Sequence, residues 1–272
     1  MKKFGIIGGD KRNIFLRELL EDDFNKVEVF NNNLDAVVKN SDVIIAGTPF
    51  TTEEDFLFFP LTDTKIKAHE LIDLLREEQI LIAGSINAGL MSYAKETGKN
   101  VVDLLNNECF ALQSAVPTAE GAIKIAIEKT DYTLSTSTVM VIGFGRIGSV
   151  LAKMLQGMGA KVFVVVNNIV DFAKAQSLGH KAVMHKDIND YLLKTDIVMN
   201  TATNDVLTEK NFFYIDKDAL VIDLSSPPFG IDTRLNGLYG IQVIWARALP
   251  GKIAPRSVAY YMRDVIYEIV GG

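Results

Sequence analysis

Cysteine, histidine and net positive charge are all scarce in this chain, and each scarcity closes off a class of function. Cys109 is the single cysteine. Disulfide frameworks and cysteine metal centres are therefore excluded, and the residue reads as a small buried side chain. The three histidines, His69, His180 and His185, stand far apart without ligand spacing, so no metal site is expected. The net charge of −6 gives a nucleic-acid backbone no overall attraction. No apolar run reaches the length that crosses a bilayer. The apolar run after Lys2 and Lys3 stops too early for a signal peptide and reads as a first strand. These absences predict a soluble, cytoplasmic protein with neither nucleic acid nor membrane as partner.

What is present is 48% apolar residues in a chain of 272, enough for two domains with substantial cores. Strands are expected at Lys3–Ile7, Lys26–Phe30, Val43–Ala46, Ile80–Ala83 and Val101–Leu105, with helices at Ile14–Leu20, His69–Glu78 and Leu90–Thr97. Strands alternating with helices predict a parallel, doubly wound α/β sheet. A long helix is expected from Pro117, a residue suited to the first helical position, to about Lys129. Six more strands follow, at Val139–Ile142, Lys161–Val166, Ala182–His185, Ile197–Asn200, Leu220–Asp223 and Val243–Ala246, and a helix at Pro255–Val270 closes the chain. The expected division is a flavodoxin- or Rossmann-like substrate domain over 1–115, a Rossmann dinucleotide domain over 116–254, and a last helix, 255–272, returning to the first domain. Two long helices would cross between the domains, with an active cleft between the lobes.

The densest signal is Gly143-Phe144-Gly145-Arg146-Ile147-Gly148, which follows an apolar strand and opens an amphipathic helix. Gly143 permits the tight turn, Gly145 lets the backbone approach a pyrophosphate, and Gly148 lets helix and strand pack closely. The helix N-terminus supplies free N–H groups for the phosphates. An NAD site usually shows an acid at the end of the second strand. Here that place holds Asn167 and Asn168, which favours NADP, with NAD as the alternative; the two asparagines otherwise form only a turn. Thr201, Ser225 and Ser226 follow later strands and complete the expected cofactor set.

Other polar residues sit where strands or linkers end. Asp10 and Arg12 follow the first strand, and Thr48, Ser85, Asn87, Ser114 and Thr118 lie at later ends. Each is an expected substrate contact or, read individually, a cap or turn. Lys252 and Arg256 are cations near the second domain junction and suit an anionic substrate. Glu120, in the first turn of the expected linker helix, would complement the helix dipole or act as acid or base. Catalytic roles fall to Glu120, Arg12 and Lys252. No histidine stands near Pro250, which argues against 2-hydroxy-acid dehydrogenases.

Several segments resemble the family formed by the first of the two subunits of dipicolinate synthase, in order along nearly the whole chain. They are Gly8-Gly9-Asp10 with Arg12, Ser85-Ile86-Asn87-Ala88, Val116-Pro117-Thr118-Ala119-Glu120-Gly121, the Gly143–Gly148 fingerprint, and Leu249-Pro250-Gly251 with Ala254-Pro255. The resemblance implies an oxidoreductase of the sporulating mother cell that makes pyridine-2,6-dicarboxylate from a dihydro- or hydroxytetrahydrodipicolinate of the lysine pathway. It implies NADP and, as partner, the flavoprotein-like second subunit of dipicolinate synthase, and it leaves a homo-oligomer open. Asn167 departs from the arginine that some members carry, which weakens NADP without removing the dinucleotide site. The rival readings are another two-domain NAD(P)-dependent dehydrogenase of a small carboxylate, and a non-catalytic dinucleotide-binding protein.

Overall fold

The computed structural model describes residues 2–22, 24–52, 54–202, 206–225, 231–232 and 234–271. It has an α/β fold with two parallel sheets in two compact units: Met1–Ser114 with Ala254–Gly272, and Ala115–Ile253. Among the described residues, no helix is long and apolar enough to cross a membrane.

Unit 1 runs β1 (Lys2–Ile6), α1 (Lys11–Leu20), β2 (Asn25–Val29), α2 (Leu34–Asn40), β3 (Val43–Ile45), α3 (Ala68–Leu74), β4 (Ile80–Ala83), α4 (Ala88–Glu96) and β5 (Asn100–Asp103). The sheet order is β2-β1-β3-β4-β5, the flavodoxin-like arrangement. Successive strand residues point to opposite faces, and helices cover both. Ile44, Leu81 and Ala83 pack toward Val37, Leu71 and Leu90, while Phe4, Ile6, Val43, Ile45 and Ile82 pack toward Leu16, Leu20 and the last helix.

Helix α5 (Glu108–Lys129) carries the chain from unit 1 into unit 2. It corrects the sequence reading in three ways. Pro117 lies inside the helix rather than at its first position. Interior proline removes one helical hydrogen bond, but apolar contacts on both sides of it outweigh that loss. Phe110 is buried in the unit 1 core, and Ala119, Ala122 and Ala126 in the unit 2 core. Glu120 consequently sits mid-helix, outside the reach of a terminal dipole. Cys109 lies in the first turn and is exposed, not buried.

Unit 2 continues with β6 (Thr138–Ile142), α6 (Arg146–Gly157), β7 (Lys161–Val166), α7 (Ile169–Ser177), β8 (Lys181–Met184), α8 (Asn189–Leu192), β9 (Ile197–Asn200), α9 (Glu209–Phe212), β10 (Leu220–Asp223), α10 (Arg234–Tyr239), β11 (Gln242–Trp245) and α11 (Leu249–Ile253). The order β11-β10-β9-β6-β7-β8 is the six-stranded Rossmann arrangement. Val139, Val141, Val164 and Met199 face α5, α6 and α7; Met140, Ile142, Val165 and Val198 face the opposite layer. Residues 249–253, between the last strand and the last helix, form α11. Helix α12 (Pro255–Val270) belongs wholly to unit 1 and buries Val258, Met262, Val265 and Ile266 beside α1.

Candidate functional site

In unit 2 the three fingerprint glycines have separable physical reasons. Gly143 has φ +95°, in the region that favours glycine, and a Cβ there would stand 2.7 Å from Thr201 Oγ1. A Cβ on Gly148 would overlap the Gly143 carbonyl, so a side chain would force α6 away from β6. Gly145 is different: its backbone is extended and a Cβ would meet nothing within 4 Å. The space beside it is open, Gly145 provides no side-chain cap, and the first turn of α6 carries no acid. That combination leaves N–H groups available to an anion. Phe144 is buried beneath this loop, edge-on to His180 at 5.5 Å between ring centres. Burial lowers the pKa of His180, and its Nδ1 has no hydrogen-bond partner among the described residues.

The neighbouring strand ends are held by a buried carboxylate. Asp223 is 1% exposed. Its Oδ1 accepts from Asn200 Nδ2 at 2.9 Å, Ser225 N at 3.1 Å and Ser225 Oγ at 2.8 Å, and its Oδ2 accepts from Ile231 N at 2.7 Å. Asn200 in turn accepts from Ala202 N at 3.1 Å. Thr201 donates to Ile142 O at 2.9 Å. Thr201 and Ser225 therefore gather with Gly143–Gly148 at the carboxyl ends of β6, β9 and β10, while Ser226 lies outside the described residues. Asn167 is exposed beyond β7. Asn168 caps α7: its Oδ1 accepts from Asp171 N and its Nδ2 donates to Asp171 Oδ2, both at 2.8 Å.

At the carboxyl end of the unit 1 sheet, Arg12 is 4% exposed. Its Nε and Nη2 each donate to Asp10 at 2.9 Å, and Nη2 also donates to Thr48 O. Asp10 additionally caps α1 by accepting from Arg12 N at 3.0 Å. Thr48 Oγ1, against Gly84, has no hydrogen-bond partner among the described residues. Ser85 adopts φ +56°. The loop around it is fixed by Asp103, which accepts from Ser85 N at 3.0 Å and Ile86 N at 2.8 Å. Asn87 caps α4 and donates to Asp55 at 3.0 Å.

The remaining expected residues lie on three helices, α5, α11 and α12. Ser114 and Thr118 lie inside α5, Glu120 is exposed farther along it, and Lys252 is exposed on α11. Arg256 stacks on Phe15 at 4.6 Å and approaches Glu18 at 3.8 Å, within unit 1. Among the described residues, no group of three or more acidic, histidine or cysteine side chains could hold a metal. Sequence reasoning missed Asp223, Asn200 and Asp103. Their signal was a polar residue closing an otherwise apolar strand, as in Ile197-Val198-Met199-Asn200 and Leu220-Val221-Ile222-Asp223.

Residues 3–105 match the family model for the N-terminal domain of the first dipicolinate synthase subunit, and residues 124–247 match that for shikimate / quinate 5-dehydrogenase. The first dipicolinate synthase subunit of Bacillus subtilis (strain 168) is 26% identical over 283 aligned positions, covering 98% of this chain and 95% of that one. Along its whole length the chain resembles the first subunit of dipicolinate synthase. The crystal structure of that subunit from Bacillus halodurans is 27% identical, covers 100% of this chain and 98% of its own, and superposes with a TM-score of 0.88. The transhydrogenase from Sinorhizobium meliloti, at 15% identity, a TM-score of 0.68 and coverage of 98% and 94%, shares the fold alone. Likeness to dipicolinate synthase, with a dehydrogenase-type second unit, supports an NAD(P)-linked oxidoreductase subunit with a nicotinamide dinucleotide cofactor.

Proposed function

We propose that this chain is the oxidoreductase component that forms dipicolinate from dihydrodipicolinate or 4-hydroxytetrahydrodipicolinate during sporulation. It would act in the mother-cell cytoplasm beside the flavoprotein-like second subunit of the synthase. The observation that carries the cofactor half is the open, uncapped N-terminus of α6 beside Gly145, in a chain similar throughout to the first dipicolinate synthase subunit. Gly143, Phe144, Gly145, Arg146, Ile147 and Gly148 would cradle the pyrophosphate, with Thr201, Ser225 and Ser226 toward the nicotinamide and Asn167 and Asn168 toward the adenosine ribose. The cofactor is proposed as NADP, with NAD the alternative. A bound nicotinamide supplies the hydride acceptor.

The substrate is a dianion, so its carboxylates require donors. Arg12 Nη1 and Thr48 Oγ1 make no hydrogen bond among the described residues, and we assign them to a carboxylate. The other proposed substrate residues are Asp10, which acts by orienting the Arg12 guanidinium, and Ser85, Asn87, Ser114, Thr118, Lys252 and Arg256. Oxidation of the dihydro form removes a hydride and a proton and leaves an aromatic ring, the hydroxytetrahydro form losing one water as well, so positioning carries much of the rate. Glu120 is assigned to the proton. Glu120→Gln is expected to keep dinucleotide binding and lose turnover; unchanged turnover removes it from the mechanism.

The test couples the protein to dihydrodipicolinate synthase with pyruvate and aspartate semialdehyde, NADP or NAD, with and without the flavoprotein-like partner. Dipicolinate formed with one reduced cofactor per product supports the reading and selects the cofactor. No dipicolinate under any combination, with dinucleotide still bound, overturns it in favour of a purely binding role.

A further inference from the structure

Unit 1 contains a cavity of about 250 Å³ that, Asp10 apart, none of the residues given a role above lines. Its walls are the glycine loop after β1, the first turns of α1, the end of β2 and residues 59–64. Ile14 and Leu61 line it and are 50% and 54% exposed. Phe30 and Phe59 add two aromatic rings 5.4 Å apart. Exposed apolar side chains gathered around a concavity mark a ligand site rather than ordinary surface.

The polar groups restrict the ligand. Asp10 caps α1, so a carboxylate occupies the helix terminus where a phosphate would otherwise bind. Gly9 N–H is also spent, donating to Phe58 O at 2.7 Å. The charged lining residues are Asp10 and Arg17, and Arg17 already faces Glu21 at 3.5 Å. An anion therefore finds no unopposed cation, which disfavours a phosphate or a dicarboxylate here. Asn32, φ +74°, follows β2 and lines the cavity, where dinucleotide-binding folds place the residue that holds ribose hydroxyls. Asn13, buried at the same wall, donates Nδ2 to Ala46 O at 3.2 Å and keeps Oδ1 without a partner among the described residues. That acceptor suits a ligand N–H or O–H.

We propose that this cavity binds an uncharged purine nucleoside and rejects its 5′-phosphate. The aromatic walls take the base, Asn32 the sugar, and Asp10 excludes the anion. The probe is adenosine, titrated into the full chain by calorimetry in the presence of saturating NADP, which fills the unit 2 site. Adenosine should bind under those conditions, and AMP at least about tenfold more weakly. Ile14→Glu and Leu61→Glu, both at exposed positions that folding tolerates, should each weaken adenosine about tenfold or more and leave NADP affinity unchanged. The proposal is overturned if NADP abolishes adenosine binding, if AMP binds as tightly as adenosine, or if neither variant alters adenosine affinity.

Discussion

Both units place a glycine loop between their first strand and the helix that follows it, yet only one leaves that helix terminus open. In unit 1, Asp10 accepts the Arg12 amide and the Arg12 guanidinium, and Gly9 gives its N–H to Phe58. In unit 2, Gly145 has no side chain to cap α6, and open space lies beside it. The same strand–turn–helix geometry thus carries an internal carboxylate in one unit and room for an external phosphate in the other. What separates a loop that can take a phosphate from one that cannot is the group already occupying the helix N-terminus, more than the number of glycines.

The largest effect is expected from emptying the unit 1 loop. Asp10→Ala removes the cap and strands the Arg12 guanidinium, which is 4% exposed. Breaking a buried pair from one side costs about 3 kcal/mol or more. Urea denaturation should show that loss, and adding Arg12→Leu should recover part of it, because the stranded charge is then gone. A loss under about 1 kcal/mol would mean that Arg12 reaches water, and the contrast between the loops would weaken.

Next comes the converse change, which makes unit 2 resemble unit 1. Gly145 has an ordinary φ of −80° and open surroundings, so Gly145→Asp introduces a cap without steric conflict. The helix should gain about 0.3 kcal/mol, since glycine is itself a tolerable cap, while dinucleotide affinity falls about 100-fold, or nearly 3 kcal/mol. Fluorescence titration with NADPH and NADH reads the second effect and thermal melting the first. Retained affinity would show that phosphates bind elsewhere.

Much of this was legible beforehand, and the failures share a cause. Lys161–Val166, Ile197–Asn200, Leu220–Asp223 and Ile80–Ala83 are strands with the bounds that their apolar runs indicate, because doubly covered parallel strands are buried on both faces. The Gly143–Gly148 loop was legible because Gly143 and Gly148 each answer a local constraint, while Gly145 leaves the helix end without a side chain. The start of α5 was not. Pro117 looks like a helix start, and only the burial of Phe110 on one side and Ala119 on the other reveals a continuous helix. Nor was the capping role of Asp10 legible, since an acid beside an arginine reads equally well as a ligand pair. Tertiary partners decide both cases, and local patterns do not contain them.

A smaller difference is expected between the two strand-end carboxylates. Asp223 and Asp103 both close a strand and hold the following loop, but Asp223 accepts four hydrogen bonds at 1% exposure and Asp103 three at 8%. An asparagine offers one acceptor oxygen where the carboxylate offers two. Asp223→Asn should therefore cost about 2 kcal/mol and Asp103→Asn about 1 kcal/mol. Equal costs would show that the loop after β10 gains nothing from its extra contact. Dinucleotide affinity should fall in the first variant and hold in the second.

The smallest effect separates the units by pH. His180 lies under Phe144 of the fingerprint loop, and burial lowers its pKa. Between its folded pKa and the ordinary value of 6.5, the unfolded chain binds a proton that the folded chain does not. Stability from this residue is thus fully present above about pH 6.5 and is lost progressively as pH falls toward the folded value. Denaturation midpoints of wild type and His180→Gln, measured from pH 7.5 to pH 5, should differ in slope, with the wild type falling faster on acidification. Because His180 supports Phe144, NADPH affinity of the wild type should weaken over the same interval. Parallel slopes would mean that His180 gains compensating contacts when protonated, and the fingerprint loop would then be insulated from acid.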